Sequence, residues 1–100
     1  MKVYLLIHEV YLYWNNEYLV EIKSFKDEQS AINYLSFVKQ EILNELMREK
    51  DVETVNELMN VIGDKIISFD NCDDYFYLEL EEDGYDILYI EEQDVMEFNL

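Results

Sequence analysis

A chain of 100 residues, half of them apolar, is long enough for one domain with a single hydrophobic core and too short for two. Its 24 Asp and Glu against seven Lys and Arg give a net charge of -17, which disfavours direct binding to nucleic acid or to an anionic membrane. The lone cysteine, Cys72, excludes an internal disulfide and a zinc site built on several thiolates. We therefore expect one cytoplasmic domain spanning residues 1–100.

The first two elements are predicted to be β-strands joined by a tight turn. The segment "MKVYLLIHEVYLYW" alternates as a strand does, is interrupted by His8 and Glu9, and lacks a small-residue cleavage site, so we expect neither a signal peptide nor a membrane span. The dipeptide Asn15-Asn16 tolerates left-handed backbone and predicts a two-residue turn before the strand "EYLVEIK". This register places Glu9 opposite Ile22, and we expect a bulge near His8 and Glu9 that restores an apolar face.

A helical period follows these strands. Between Ala31 and Leu46 apolar residues recur every three or four positions, which is the spacing of one helix face. Either Ser24 or Asp27 is expected to cap the N-terminus of this helix.

A second apolar stripe occupies "DVETVNELMNVIG", where Gly63 is expected to end the helix. Whether residues 27–62 form two helices or one bent helix is open, because only "REKD" separates the stripes. The second stripe is expected to cover three apolar residues that lie off the first stripe, namely Phe37, Leu43 and Met47.

The C-terminal third is predicted to form three more strands. "KIISF" is a strand and "DNCDD" a loop, and the remainder forms a hairpin around a three-residue "EDG" turn with Gly84 in left-handed backbone. In this register Phe76 faces Ile90, whereas a two-residue turn would place Glu81 opposite Asp86 and oppose like charges. The order ββααβββ predicts an α+β fold, an antiparallel sheet of four to five strands with one or two helices on one face.

The outer face of this last hairpin is the candidate partner-binding site. Residues 66–100 contain 12 acids and no Lys or Arg. Residues two apart on a strand are about 6.6 Å apart, so Glu79 and Glu81, with Glu91 nearby, would form a row of charges that imitates nucleic-acid phosphates. The alternative is a solvated face whose acids only confer solubility. The candidate residues are Tyr75, Tyr77, Glu79, Glu81, Tyr85, Tyr89 and Glu91.

These features favour a non-catalytic acidic inhibitor that occupies a basic, nucleic-acid-binding site on a partner protein. In its small size and acidic folded surface the chain resembles nucleic-acid-mimicking inhibitors, a class that includes phage anti-restriction and anti-CRISPR proteins and toxin-immunity proteins. The alternative is a homo-oligomeric module in which a copy packs on the tyrosine-bearing face or on the helix side at Phe37, Leu43 and Met47. Repulsion between identical acidic faces favours the helix side for that contact.

Catalytic, metal and cofactor sites are not expected. His8 with Glu9, or with Cys72, has the residue types for proton transfer or thiol chemistry, but such isolated residues are more often structural. The acidic loops lack the glycine and the spacing of a calcium loop. Trp14, beside the first turn, is expected to be either an exposed anchor or a cover for the end of the core.

Overall fold

A computed structural model describes residues 1–95 of the chain. It contains a five-stranded antiparallel sheet and two helices, which confirms the predicted α+β class and the order ββααβββ. The elements are β1 (Lys2–Leu12), β2 (Glu17–Phe25), α1 (Glu28–Lys50), α2 (Val55–Ile62), a 3-10 turn (Gly63–Lys65), β3 (Ile66–Asn71), β4 (Tyr75–Leu80) and β5 (Gly84–Asp94). No helix within residues 1–95 is both long and apolar enough to cross a membrane.

The first and last strands of the sheet pair with each other. The strand order is β2-β1-β5-β4-β3, so β1 and β5 are interior strands and β2 and β3 are the edges. β1 and β5 pair without interruption from Lys2 opposite Asp94 to Leu12 opposite Gly84. Both strands carry apolar residues on both faces, as expected for strands with a neighbour on each side.

β1 is regular, and the predicted bulge near His8 and Glu9 is wrong. The turn after β1 spans four residues rather than two, because Asn16 has left-handed backbone with φ 54° and the Tyr13 N–H donates to the Asp83 carbonyl 3.0 Å away. Tyr11 therefore pairs with Tyr18. With the alternation unbroken, Glu9 lies on the sheet face that points away from the helices.

The β4–β5 register differs from the predicted one by two residues. Phe76 faces Leu88 instead of Ile90, and the turn consists of residues 81–83 with Glu82 in left-handed backbone at φ 74°. Gly84 is buried at the start of β5 with φ 128°, and a Cβ there would lie only 1.8 Å from the Tyr11 carbonyl oxygen. Because the shift is an even number of residues, every side chain that stays within the paired strands keeps its predicted face, whereas Glu81 passes into the turn.

Residues 27–62 form two helices. Asp27 caps α1 by accepting from the Ser30 N–H at 2.8 Å, whereas Ser24 belongs to β2. Asp51 ends α1 in left-handed backbone with φ 55°, and Thr54 then caps α2. As predicted, α2 ends at Gly63, which is its C-cap, although the backbone there is right-handed and leads into the 3-10 turn.

Both helices pack on one face of the sheet, which we call the inner face. The core contains Leu6, Leu35, Leu43, Leu58, Ile62, Phe76, Leu78, Leu80 and Leu88. Leu43 is buried and Met47 packs against this core, whereas Phe37 is 58% exposed. The helix surface predicted for self-association therefore retains only Phe37 as an exposed member.

Candidate protein-binding face

The sheet face opposite the helices bears most of the tyrosines, and we call it the tyrosine face. Strand alternation and register define its members, because the inner positions are the ones that pack on α1 and α2. Its side chains include Tyr18, Val20 and Ile22 of β2, Leu5, Ile7, Glu9 and Tyr11 of β1, Tyr85, Ile87, Tyr89 and Glu91 of β5, Tyr75, Tyr77 and Glu79 of β4, and Asp70 of β3. Tyr13 joins them from the first turn through its hydrogen bond to Glu79.

Aromatic rings on this face contact one another across four strands. Tyr11 and Tyr85 stack with ring centroids 5.8 Å apart, and Tyr85 stacks in turn on Tyr77 at 5.8 Å. Tyr18 lies beside Tyr11 at 6.5 Å, and Tyr13 meets Tyr11 edge-on at 5.5 Å. Contacts of this kind stabilise sheets and fix ring orientation. The five rings therefore form one ordered tyrosine stack.

Glu79 is held at one end of the tyrosine stack. The Tyr77 hydroxyl donates to Glu79 Oε1 at 2.7 Å, and the Tyr13 hydroxyl donates to Glu79 Oε2. These two hydrogen bonds lower the pKa of the Glu79 carboxyl. The same bonds raise the pKa of Tyr77 to about 12 and raise that of Tyr13. The carboxylate is thus charged and oriented, and the two hydroxyls are neutral at physiological pH.

Glu9 plays the corresponding part on the other half of the face. The Tyr18 hydroxyl donates to Glu9, and this bond raises the pKa of Tyr18 to about 12. Burial, followed by the nearby Glu9 charge, raises the pKa of Tyr89. These hydroxyl groups explain how Glu9 and Glu79 can lie among apolar and aromatic side chains on this face.

Within residues 1–95, none of the seven Lys and Arg side chains belongs to the tyrosine face. Lys2 pairs with Glu92 at 3.1 Å, and Lys23 donates to the Tyr34 hydroxyl of α1 at 2.6 Å. The other five bases lie on α1 or in the segments that flank the helices: Lys26, Lys39, Arg48, Lys50 and Lys65. Two carboxylates of the tyrosine face, Glu9 and Glu79, thus have tyrosine partners in place of cationic ones.

Six of the seven predicted site residues lie on the tyrosine face, and the exception is Glu81. β4 ends at Leu80, so Glu81 belongs to the turn and is exposed there. Glu79 pairs with Tyr85, and Glu91 lies six residues farther along β5, about 20 Å away at 3.4 Å per residue. The predicted row of evenly spaced carboxylates is wrong, because the turn begins one residue earlier than expected.

The prediction missed the acidic and tyrosine side chains that the N-terminal hairpin contributes to this face: Glu9, Tyr11, Tyr13 and Tyr18. They come from β1, from the turn that follows it and from β2, and they meet the C-terminal hairpin only because β1 pairs with β5. The sequence did contain a signal for part of this set. Leu5, Ile7, Glu9 and Tyr11 alternate along β1, and without a bulge this alternation places all four on one face of the sheet. The site is a composite of both ends of the described chain.

The residue pairs considered for catalysis do not come together. His8 Nε2 lies 2.9 Å from Asp86 Oδ1 on the inner face, whereas Glu9 points to the opposite face. The strand registers place His8 and Asn71 in one row that crosses four strands. Three strand spacings separate the two residues, which corresponds to about 14 Å. Cys72 follows Asn71 in an exposed loop. No thiol–imidazole pair is formed.

In the part of the chain that the structure describes, no group of three or more His, Cys, Asp or Glu is arranged to hold a metal ion. Trp14 is 74% exposed at the tip of the first hairpin, so it does not cover the core.

Comparisons with protein-family models, with curated proteins and with solved structures gave no match for this chain.

Proposed function

We propose that this chain is a non-catalytic binding protein that docks its tyrosine face on a basic surface of another protein. One observation carries the proposal: among residues 1–95, this face combines ordered tyrosine rings with carboxylates and includes no Lys or Arg. A cationic partner would meet no like charge there, and a net charge of -17 would accelerate its approach.

The chemistry of the face favours arginine over lysine on the partner. A guanidinium group stacks on a tyrosine ring and pairs with a carboxylate through a planar fork, whereas an ammonium group is a compact, strongly hydrated charge. Glu79 and Tyr77 present a carboxylate and a ring side by side, joined by a 2.7 Å hydrogen bond. Because these groups are already oriented, binding would cost little additional side-chain entropy.

The partner surface in this proposal is a nucleic-acid-binding site, which makes the protein an inhibitor of a nucleic-acid-binding enzyme. Sites for single strands combine a basic groove with groups on which bases stack. The tyrosine face offers both counterparts, since its rings take the place of bases and its carboxylates take the place of phosphates. The support is the pairing of rings with charges and not their spacing, because Glu81 is absent from the face.

The test is a capture experiment with charge-matched variants. The full chain is immobilised and exposed to a lysate of the source cells or their host, and retained proteins are identified by mass spectrometry. We expect a nucleic-acid-binding protein that is released by a single-stranded oligonucleotide and retained less as salt rises. The double variant Glu9→Gln/Glu79→Gln is expected to lose it.

The control removes two charges from the helical side. Glu45 and Glu49 are exposed on α1, so Glu45→Gln/Glu49→Gln changes the net charge equally and leaves the tyrosine face intact. Retention should be unaffected by this control. Equal loss in both double variants, or a captured protein that oligonucleotide does not displace, would overturn the proposal.

A further inference from the structure

β2 is a long, regular edge strand with an apolar, uncovered surface. Residues 17–24 are all exposed, and four of them are apolar or aromatic: Tyr18, Leu19, Val20 and Ile22, at 45% to 58% exposure. The opposite edge, β3, has six residues and a register irregularity between Ile66 and Ser68. Short or irregular edges resist pairing with other chains, whereas long, flat, apolar edges invite it. The two edges of this sheet therefore differ in their capacity to accept a further strand.

We infer that β2 pairs with β2 of a second copy of this chain. The pairing is antiparallel around a twofold axis at Val20 and joins two five-stranded sheets into one of ten strands. This inference is independent of the proposed function, because it concerns the sheet edge and requires no other protein.

The distribution of charge along β2 selects this register. With the axis at Val20, Glu17 lies opposite Lys23 of the second copy, and the symmetry produces this pair twice. An axis at Leu19 would place Glu17 opposite Glu21, and an axis at Glu21 would place that residue opposite itself. Directly opposed like charges destabilise a strand pair, and opposed unlike charges stabilise it.

An axis at Ile22 would also oppose unlike charges, here Glu21 and Lys23. That register sets Val20 opposite Ser24, an apolar residue against a polar one. The axis at Val20 instead sets Tyr18 opposite Ile22 and Val20 opposite itself on the tyrosine face. Apolar and aromatic cross-strand pairs stabilise a sheet, so the Val20 register is favoured on the tyrosine face. On the inner face it combines the two Glu17–Lys23 pairs with Leu19 opposite Glu21.

A further exposed apolar side chain lies beside the same edge. Phe37 of α1 is 58% exposed, and its ring contacts that of Tyr34 with centroids 5.8 Å apart. Tyr34 is fixed to β2 because Lys23 Nζ donates to its hydroxyl at 2.6 Å. Phe37 thus adds an exposed aromatic ring to the helix layer on the inner side of β2.

A twofold axis perpendicular to the sheet keeps equivalent faces on the same side. The dimer would therefore present two tyrosine faces on one surface and the four helices on the other. Repulsion between two chains of net charge -17 opposes this association. At about 0.15 M salt the Debye length is about 8 Å, so distant acids are screened and the directly opposed pairs dominate.

Sedimentation velocity of the full chain over a concentration series at that salt tests the inference. We expect a reversible monomer–dimer equilibrium. Lys23→Glu opposes like charges twice and should weaken the dimer roughly tenfold, as should Glu17→Lys. The double variant Glu17→Lys/Lys23→Glu reverses both pairs and should restore the wild-type dissociation constant.

Lys50→Glu, at the exposed C-terminal end of α1, is the matched control and should leave the dimer unchanged. Lys23→Glu also removes the bond to Tyr34, but the second change at Glu17 cannot replace that bond, so rescue reports strand pairing. Circular dichroism verifies that each variant is folded. A monomer at every concentration, or a dimer that the double variant fails to restore, would overturn the inference.

Discussion

Tyr11 and Tyr85 stack with their ring planes 10° apart and their centroids separated by 5.8 Å. The two residues are 74 positions apart in the chain, yet they lie directly opposite each other in the β1–β5 pair. This contact joins the N-terminal hairpin to the C-terminal one and makes the tyrosine face a single surface. Changes at either end of the described chain are therefore expected to affect the same face.

Replacing Glu79 with Gln should shift the titration of the tyrosines it orders. Removing the charge should lower the pKa of Tyr77 from about 12 towards the ordinary value of 10 and should lower that of Tyr13. Absorbance at 295 nm during an alkaline titration reports tyrosinate formation. More tyrosines should ionise by pH 11 in Glu79→Gln than in the wild type, and Glu81→Gln, in the turn, should titrate like the wild type.

The hydrogen bonds from Tyr18 to Glu9 and from Tyr77 to Glu79 should make the stability of the protein decrease at alkaline pH. A tyrosine whose pKa is raised in the folded state contributes stability that is fully present below its unfolded pKa of about 10. For Tyr18 and Tyr77 that contribution is lost as the pH rises from about 10 to about 12. Urea denaturation across this range should show stability falling with pH, and the fall should be smaller in Glu79→Gln.

Gly84→Ala should be severely destabilising. A methyl group there would lie 1.8 Å from the Tyr11 carbonyl oxygen, on backbone with φ 128° that L-residues rarely adopt. We expect a loss of about 3 kcal/mol or more in the free energy of unfolding, measured by urea denaturation. Gly63→Ala is the control, because its Cβ would meet nothing within 4 Å on right-handed backbone, and it should stabilise by up to about 1 kcal/mol. Similar losses at both positions would contradict the geometry at Gly84.

Asp27→Ala should destabilise α1, whereas Ser24→Ala should not. Asp27 accepts from the Ser30 N–H and hydroxyl, and removing an N-cap costs about 1 kcal/mol. The backbone N–H bond is the main cause of the lowered pKa of Asp27. The cap therefore contributes stability above the ordinary value of 3.8, and this contribution is lost as the pH falls below it. Thermal melting at neutral and acidic pH should show the difference between wild type and Asp27→Ala shrinking in acid.

Phe76→Ala tests where the core lies. Phe76 is fully buried and meets Phe69 edge-on at 6.0 Å, so truncation should cost about 3 to 5 kcal/mol. Phe37→Ala removes the same atoms from a ring that is 58% exposed and should change stability by about 0.5 kcal/mol or less. Equal costs in urea denaturation would mean that Phe37 is covered in solution.

The fold class could be predicted because local signals were consistent along the chain. Alternation in the strands, the helical period from Ala31 to Leu46 and the Asp27 cap each depend on neighbouring residues alone. The register of both hairpins was wrong for a shared reason. The close approach of Gly84 to the Tyr11 carbonyl and the bond from the Tyr13 N–H to Asp83 set the turn lengths, and both contacts join distant parts of the chain.

Only part of the tyrosine face could be predicted, because the rest of it depends on contacts between distant parts of the chain. The expected bulge assumed that Glu9 could not occupy an apolar face, but a hydroxyl from β2 satisfies its carboxylate. That hydroxyl belongs to Tyr18, whose position follows from the four-residue turn. Where a polar group is satisfied by a distant partner, the pattern of neighbouring residues does not reveal it.

The pairing of β1 with β5 also determines when the sheet can be completed during synthesis. Because synthesis runs from the N-terminus, β1 and β2 are made before β5, and β1 lacks one of its two strand neighbours until β5 is available. Contacts between residues that are so far apart in the chain form slowly. β5 lies between β1 and β4, so the stacking of Tyr11 on Tyr85 requires that β5 has paired with β1.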